Sequence, residues 1–176
     1  MKIAIVGKMC SGKSTLAKQI QLLDNRYQIF SFGQKIKDIA IDLFNMKKKD
    51  RNLLINIGMK LREINSHVWV DYLIEKMKNE KFCIVDDVRF QNEYDALIQN
   101  GFIIIELDIF KDDQIKRIKK CYPENYQNHI QNIDNISEKL NINYKIKPIL
   151  KFNTVYDEYC KINHELNLLL FKKVLL

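Results

Sequence analysis

Apolar positions along this chain follow two alternating rhythms. Short unbroken runs rich in Ile and Val are each followed by stretches in which apolar residues return every three or four positions. The first rhythm is that of a strand buried on both faces, and the second is that of one face of a helix. Lys2 to Val6 is the first run, and from Lys13 the residues Leu16, Ile20 and Leu23 recur at helical spacing. Tyr27 to Phe32 predicts a second short strand. Lys35 to Phe44 predicts a helix through Ile36, Ile39, Ala40 and Leu43, Arg51 to Ile64 another through Leu54, Ile57 and Leu61, and Val68 to Met77 a third. Phe82 to Val85 is a bare apolar run that ends in Asp86-Asp87. Asn92 to Asn100 reads as a helix stopped by Gly101, a residue suited to a helix C-terminus. Phe102 to Leu107 is a further buried strand, Asp112 to Lys120 a basic helix, and Tyr122 to Asn135 polar without a period. Tyr144 to Ile149 predicts the last strand, and Val155 to Phe171 a closing helix.

Strands alternating with helices predict one α/β domain over 1–176, a three-layer arrangement with a parallel β-sheet covered by helices. In such sheets ligands gather beyond the carboxyl ends of the strands. That edge would receive the loop after Val6, then Ser31-Phe32-Gly33, Asp86 through Arg89, and Asp108.

Length and composition add limits rather than chemistry. No run of eighteen apolar residues occurs, so no membrane span is expected, and the first strand is too short and too early for a signal peptide. The four cysteines (Cys10, Cys83, Cys121, Cys160) show no metal-ligand spacing. They read as reduced thiols in a cytoplasmic protein. The net charge of +7 comes from lysines scattered along the chain, not gathered with interleaved aromatics. That distribution weighs against nucleic acid as the partner.

The chemistry starts at Gly7-Lys8-Met9-Cys10-Ser11-Gly12-Lys13-Ser14, a match to G-x-x-x-x-G-K-[ST] between a strand and a helix start. Its glycines let backbone N–H groups converge on an anion, and the helix N-terminus adds donors and partial positive charge. The loop from Gly7 through Cys10, Ser11 and Gly12 to Thr15 is therefore expected to bind ATP. Lys13 would reach the β- and γ-phosphates and Ser14 would ligate Mg²⁺. The second informative segment is VDDVRFQNE, Val85 to Glu93. Its acidic pair, at the end of a buried strand, suits the same metal, and Arg89 emerges at the same edge with a fork that fits phosphate.

With these motifs in place the chain resembles the deoxynucleoside monophosphate kinases of bacteriophages and large DNA viruses. The matching pieces run in order: GKMCSGKST, SFGQKIKDIAIDLF, LLINIGMKLREINSHVWV, IVDDVRFQNEYDALIQNGFIIIEL and NISEKL. The resemblance implies a nucleoside monophosphate kinase-like fold and transfer of the γ-phosphoryl of ATP to a deoxynucleoside 5′-monophosphate. It implies an acceptor site made by Phe32, Lys37, Arg62, Trp69, Arg89 and Glu93, with Asp87 joining Ser14 at the metal. Gly12-Lys13-Ser14 stands where many members read G-K-D, and Asn135 stands where a histidine is frequent. A lid is expected at about 111–135, with Arg117 as a cation that joins Lys13 and Arg89 in catalysis.

Other readings are separable. A GTPase would add N-K-x-D and D-x-x-G, and neither occurs in the chain. Phosphomevalonate kinase of the animal type resembles the same family and is the alternative enzyme. A basic nucleic-acid-binding ATPase is the alternative of another class. The apolar C-terminal stretch LLLFKKVLL could bury a face against a second copy, giving a homodimer.

Overall fold

A computed structural model describes residues 1–133, 141–154 and 159–171. The NISEKL segment, the end of the expected lid, the start of the closing helix and the last five residues lie outside the described residues.

The elements follow the two rhythms. Strand β1 (Lys2–Gly7) leads into helix α1 (Lys13–Leu23), and β2 (Gln28–Phe30) into α2 (Phe32–Phe44). Helices α3 (Arg51–Ile64) and α4 (Val68–Lys76) precede β3 (Cys83–Val88), α5 (Gln91–Gln99) and β4 (Phe102–Asp108). Then come α6 (Lys111–Cys121), a short α7 (Tyr126–Gln131), β5 (Leu150–Asn153) and α8 (Tyr159–Phe171). The sheet has five strands in the order β2-β3-β1-β4-β5, and all of their pairings are parallel.

Alternation along the central strands builds the layers. Ala4 and Val6 of β1 face one side with Val85 and Ile104, against α2, α4 and α5 through Ala40, Trp69, Leu73 and Leu97. Ile3 and Ile5 face the other side with Ile84 and Ile105, against Leu16, Ala17 and Ile20 of α1 and Leu166 of α8. Residues 3–6 are fully buried because β1 is covered on both faces. This is the expected fold class.

Three sequence expectations shift. The last strand is Leu150–Asn153, not Tyr144 to Ile149. Pro148 has no N–H for a ladder, so pairing starts only when the Ile149 N–H reaches the Ile104 carbonyl at 2.9 Å. Lys151, opposite Glu106 in the ladder, then bonds it at 2.9 Å and holds the register. Tyr144 instead sets its ring edge-on to Tyr94, with centroids 5.6 Å apart. The polar stretch after Tyr122 contains α7.

The third shift concerns β3. Its pairing with β1 runs Ala4↔Val85 and then Val6↔Val88, two steps on one strand against three on the other. The extra residue falls at Asp86-Asp87, a bulge at the sheet edge where ligands are expected. No described helix is long and apolar enough to cross a membrane.

Candidate active site

The loop between β1 and α1 is shaped by backbone requirements. A Cβ on Gly7 would lie 2.6 Å from both the Leu107 carbonyl and the Ser11 hydroxyl, so only glycine lets the loop pass this close to β4. Gly12 has φ +99 and Cys10 φ +59, both in the left-handed region. A cysteine held there is a strained position of the kind concentrated at functional loops. Lys13 turns back across the loop and donates to the Gly7 and Lys8 carbonyls, each at 2.7 Å. Burial, with Arg89 nearby, pulls its ammonium down to about 7, against the opposing pull of Asp87 and Asp86.

The bulge separates the two aspartates into two tasks. Asp86 accepts from the Ser14 hydroxyl at 2.6 Å, and burial, then Asp87, raises its pKa while the Ser14 bond opposes. Asp87 accepts from the Ser31 hydroxyl at 2.6 Å, the Phe32 N–H at 2.9 Å and the Gly33 N–H at 2.8 Å. It thereby anchors the N-terminus of α2, where orphan N–H groups and the helix dipole favour a carboxylate. The sequence expectation set Asp87 beside Ser14. The structure sets Asp86 there, and a pair of hard oxygen donors such as Ser14 Oγ and Asp86 Oδ2 suits Mg²⁺.

Beyond Lys13 a cavity of about 680 Å³ opens between the sheet edge and helices α2 to α4. Phe32, Lys37, Arg62, Arg89 and Glu93 line it. Arg62 donates to the Gly58 carbonyl at 3.0 Å and to Glu93 at 2.8 Å, and its guanidinium lies over the Phe90 ring at 4.2 Å. Glu93 is 1% exposed and also accepts from the backbone N–H groups of Arg89 and Phe90 at 2.8 and 3.1 Å. It works as a positioning residue at the start of α5, holding Arg62 and the Arg89 backbone. Burial lowers the pKa of Arg89, against the pull of Asp87 and Glu93.

Two expected site residues do not line this cavity. Trp69 is buried in the core and does not line the cavity. Its indole N–H donates at 3.1 Å to the same Gly58 carbonyl that Arg62 uses, so it braces α3 from behind. Arg117 does not line the cavity either. It donates to the Cys10 carbonyl at 3.3 Å and to the Thr154 hydroxyl at 2.9 Å, tying α6 to the phosphate loop and the end of β5. Of the remaining loop residues, Ser11 is fully buried and Thr15 exposed.

Other lining residues were not singled out from sequence. Lys49, from the segment between α2 and α3, and Arg51, the first residue of α3, reach the cavity, as does Tyr122, which accepts from Lys49 at 3.4 Å. Burial and the neighbouring Arg89 lower Arg51 to about 10. The Lys47-to-Arg51 run carries a signal only in hindsight, since a charge run usually lies on a solvated face. His129 stacks on Tyr122 at 3.9 Å, and burial followed by Arg51 and Lys49 depresses it to about 4, so it is neutral at pH 7. Among the described residues no His, Cys, Asp and Glu group forms a metal cluster.

Residues 3–139 match a protein-family profile described as "AAA domain". The chain belongs to that AAA-domain family. No curated protein matches it. Solved structures similar to this AAA domain include a putative kinase from Chloroflexus aurantiacus j-10-fl, at 15% identity and TM-score 0.64 over 99% of this chain and 94% of that one. A sugar kinase from Janibacter sp. HTCC2649 is similar at 14% identity and TM-score 0.58, over 96% and 93% of the two chains. Shikimate kinase from Bacteroides thetaiotaomicron is similar at 14% identity and TM-score 0.54, over 99% and 98%. At these identities the likeness is one of fold, and the AAA domain has the fold of P-loop small-molecule kinases.

Proposed function

We propose that this chain is an ATP- and Mg²⁺-dependent kinase that transfers the γ-phosphoryl group to the 5′-phosphate of a deoxynucleoside monophosphate. The observation that carries the reading is the charge of the cavity. Lys37, Lys49, Arg51, Arg62 and Arg89 line it in addition to Lys13. These are more cations than one triphosphate requires, and besides burial the charge of Arg89 lowers Lys13, Lys49 and Arg51. A second phosphate-bearing substrate would relieve that repulsion.

In this reading the backbone of the Gly7–Ser14 loop and Lys13 bind the ATP phosphates, and Ser14 with Asp86 holds the metal. Mg²⁺, when bound, supplies charge neutralisation at the phosphoryl oxygens. Arg62 and Arg89 orient the acceptor phosphate, one oxygen of which forms the new bond to the γ-phosphorus as the bond to the β-phosphate oxygen breaks. Such transfer depends chiefly on positioning and charge, and an ionised acceptor phosphate needs no base to remove a proton. A hydroxyl acceptor would need one, yet the two aspartates lining this cavity are engaged with Ser14 and with the start of α2. The ordered family segments of the sequence support a deoxyribose acceptor.

A coupled ADP-release assay across deoxy- and ribonucleoside monophosphates, phosphomevalonate, gluconate and shikimate tests the proposal. ADP release is expected with at least one deoxynucleoside monophosphate, ahead of its ribose counterpart. Turnover of phosphomevalonate or a hydroxyl acceptor alone would overturn the nucleotide assignment, as would ATP hydrolysis only in the presence of DNA. Arg62 separates the two substrates further. Lysine cannot reproduce its fork to Gly58 and Glu93, so Arg62→Lys is expected to weaken acceptor binding by roughly tenfold while leaving ATP binding nearly unchanged. Titrations of both ligands, with equal losses as the contrary result, decide this role.

A further inference from the structure

One stripe of α6 lies against the phosphate loop. Gln114 donates to the Met9 carbonyl at 2.9 Å, and Arg117 to the Cys10 carbonyl at 3.3 Å. Cys121 ends the same helix, one turn beyond Arg117 on that stripe. That places it next to the Cys10 end of the phosphate loop, close enough for the two thiols to influence one another. Both cysteines are free thiols, with Cys121 exposed and Cys10 half-buried. The nucleotide chemistry proposed above uses neither thiol.

We propose that Cys10 and Cys121 form a redox-modification site, at which a low-molecular-weight disulfide oxidant such as oxidised glutathione ties the phosphate loop covalently to α6. The accessible Cys121 thiolate attacks one sulfur of the oxidant and expels the first thiol. Cys10 then loses its proton to solvent and attacks the Cys121 sulfur, expelling the second. Two protein thiols are oxidised to one disulfide, and one disulfide is reduced to two thiols. Burial, then Cys121, raises Cys10 above the ordinary thiol range, against the opposing pull of Lys13 and Arg51. The second step is therefore the slow one, and it accelerates with rising pH.

The consequence follows from where Cys10 stands. A disulfide fixes its sulfurs at about 2.05 Å with a restricted dihedral, and Cys10 is already held at φ +59. Drawing it toward Cys121 displaces the loop between Met9 and Gly12, whose N–H groups must converge on phosphate. The linked form therefore binds ATP poorly.

The test treats the full chain with oxidised glutathione, maps its disulfides under non-reducing conditions, and titrates a fluorescent ATP analogue before and after. The expected product carries a Cys10–Cys121 peptide link, no retained glutathione on either residue and ATP affinity reduced by at least about tenfold, restored by dithiothreitol. Cys121→Ser should bind ATP as the reduced parent does and keep that affinity under oxidation. A stable glutathione adduct without the link, a link that leaves ATP affinity unchanged, or equal inactivation of Cys121→Ser would each overturn the site. Failure of the reduced protein to bind ATP would count against the proposed function and against any effect of the link on it. The peptide map would still decide whether the two thiols pair.

Discussion

Replacing Lys13 with alanine is expected to lower turnover by roughly two to three orders of magnitude while leaving the protein folded, as for loss of a charge partner of the transferring phosphates. The fold should tolerate the change because Lys13 is a partly desolvated cation held by two loop carbonyls, and its depressed pKa marks the charged form as costly. The same depression gives a second signature. With an ammonium at about 7 in the unliganded protein, part of the population is neutral near pH 7. A bound triphosphate favours the charged form, so ATP binding takes up protons, and the affinity contributed by this group falls as pH rises above about 7. Calorimetry in buffers of different ionisation enthalpy should detect that uptake in the parent and lose it in Lys13→Ala. Near-normal turnover in a folded variant would remove Lys13 from the mechanism.

The neighbouring aspartates should fail in different ways. Asp86→Asn keeps an acceptor for the Ser14 hydroxyl but loses the charge expected to face the metal, so Mg²⁺-dependent transfer should drop roughly a hundredfold or more. Its thermal stability should hold, because the carboxylate it removes is partly buried and crowded by Asp87. Asp87→Asn instead weakens an anchor with three donors at the start of α2 and should cost about 1–3 kcal/mol of stability. Denaturation curves and metal titrations on both variants separate the outcomes. If Asp87→Asn abolishes metal dependence and Asp86→Asn does not, the metal belongs with Asp87.

That exchange of roles shows where sequence reasoning reached and where it stopped. The phosphate loop was legible because its chemistry is written in contiguous residues, and the layers were legible because burial on both faces leaves unbroken apolar runs. Asp86 and Asp87 could be placed at the sheet edge but not told apart. A bulge is a property of two strands in register, and only the pairing of β1 with β3 exposes it. Trp69 and Glu93 drew attention as residues of the right chemistry in the right segment. Trp69 is braced behind the cavity, and Glu93 lines it but is engaged with Arg62 and the start of α5, because an indole N–H and a carboxylate can serve a backbone carbonyl or helix start as well as a ligand. Lys49 and Arg51 were missed for the opposite reason. They come from the end of a connection and the first residue of α3, whose placement is set by the packing of α3 on α2, and no local pattern records that.

Trp69 is the chain's single tryptophan. Because its indole shares the Gly58 carbonyl with Arg62, all of the protein's tryptophan emission, excited on the red side of the tyrosine band, arises beside one end of the guanidinium that faces the cavity. Tyrosine aside, there is no competing fluorophore to dilute it. The molecule thus carries its own optical gauge of strain in α3, readable without a label or a coupled enzyme.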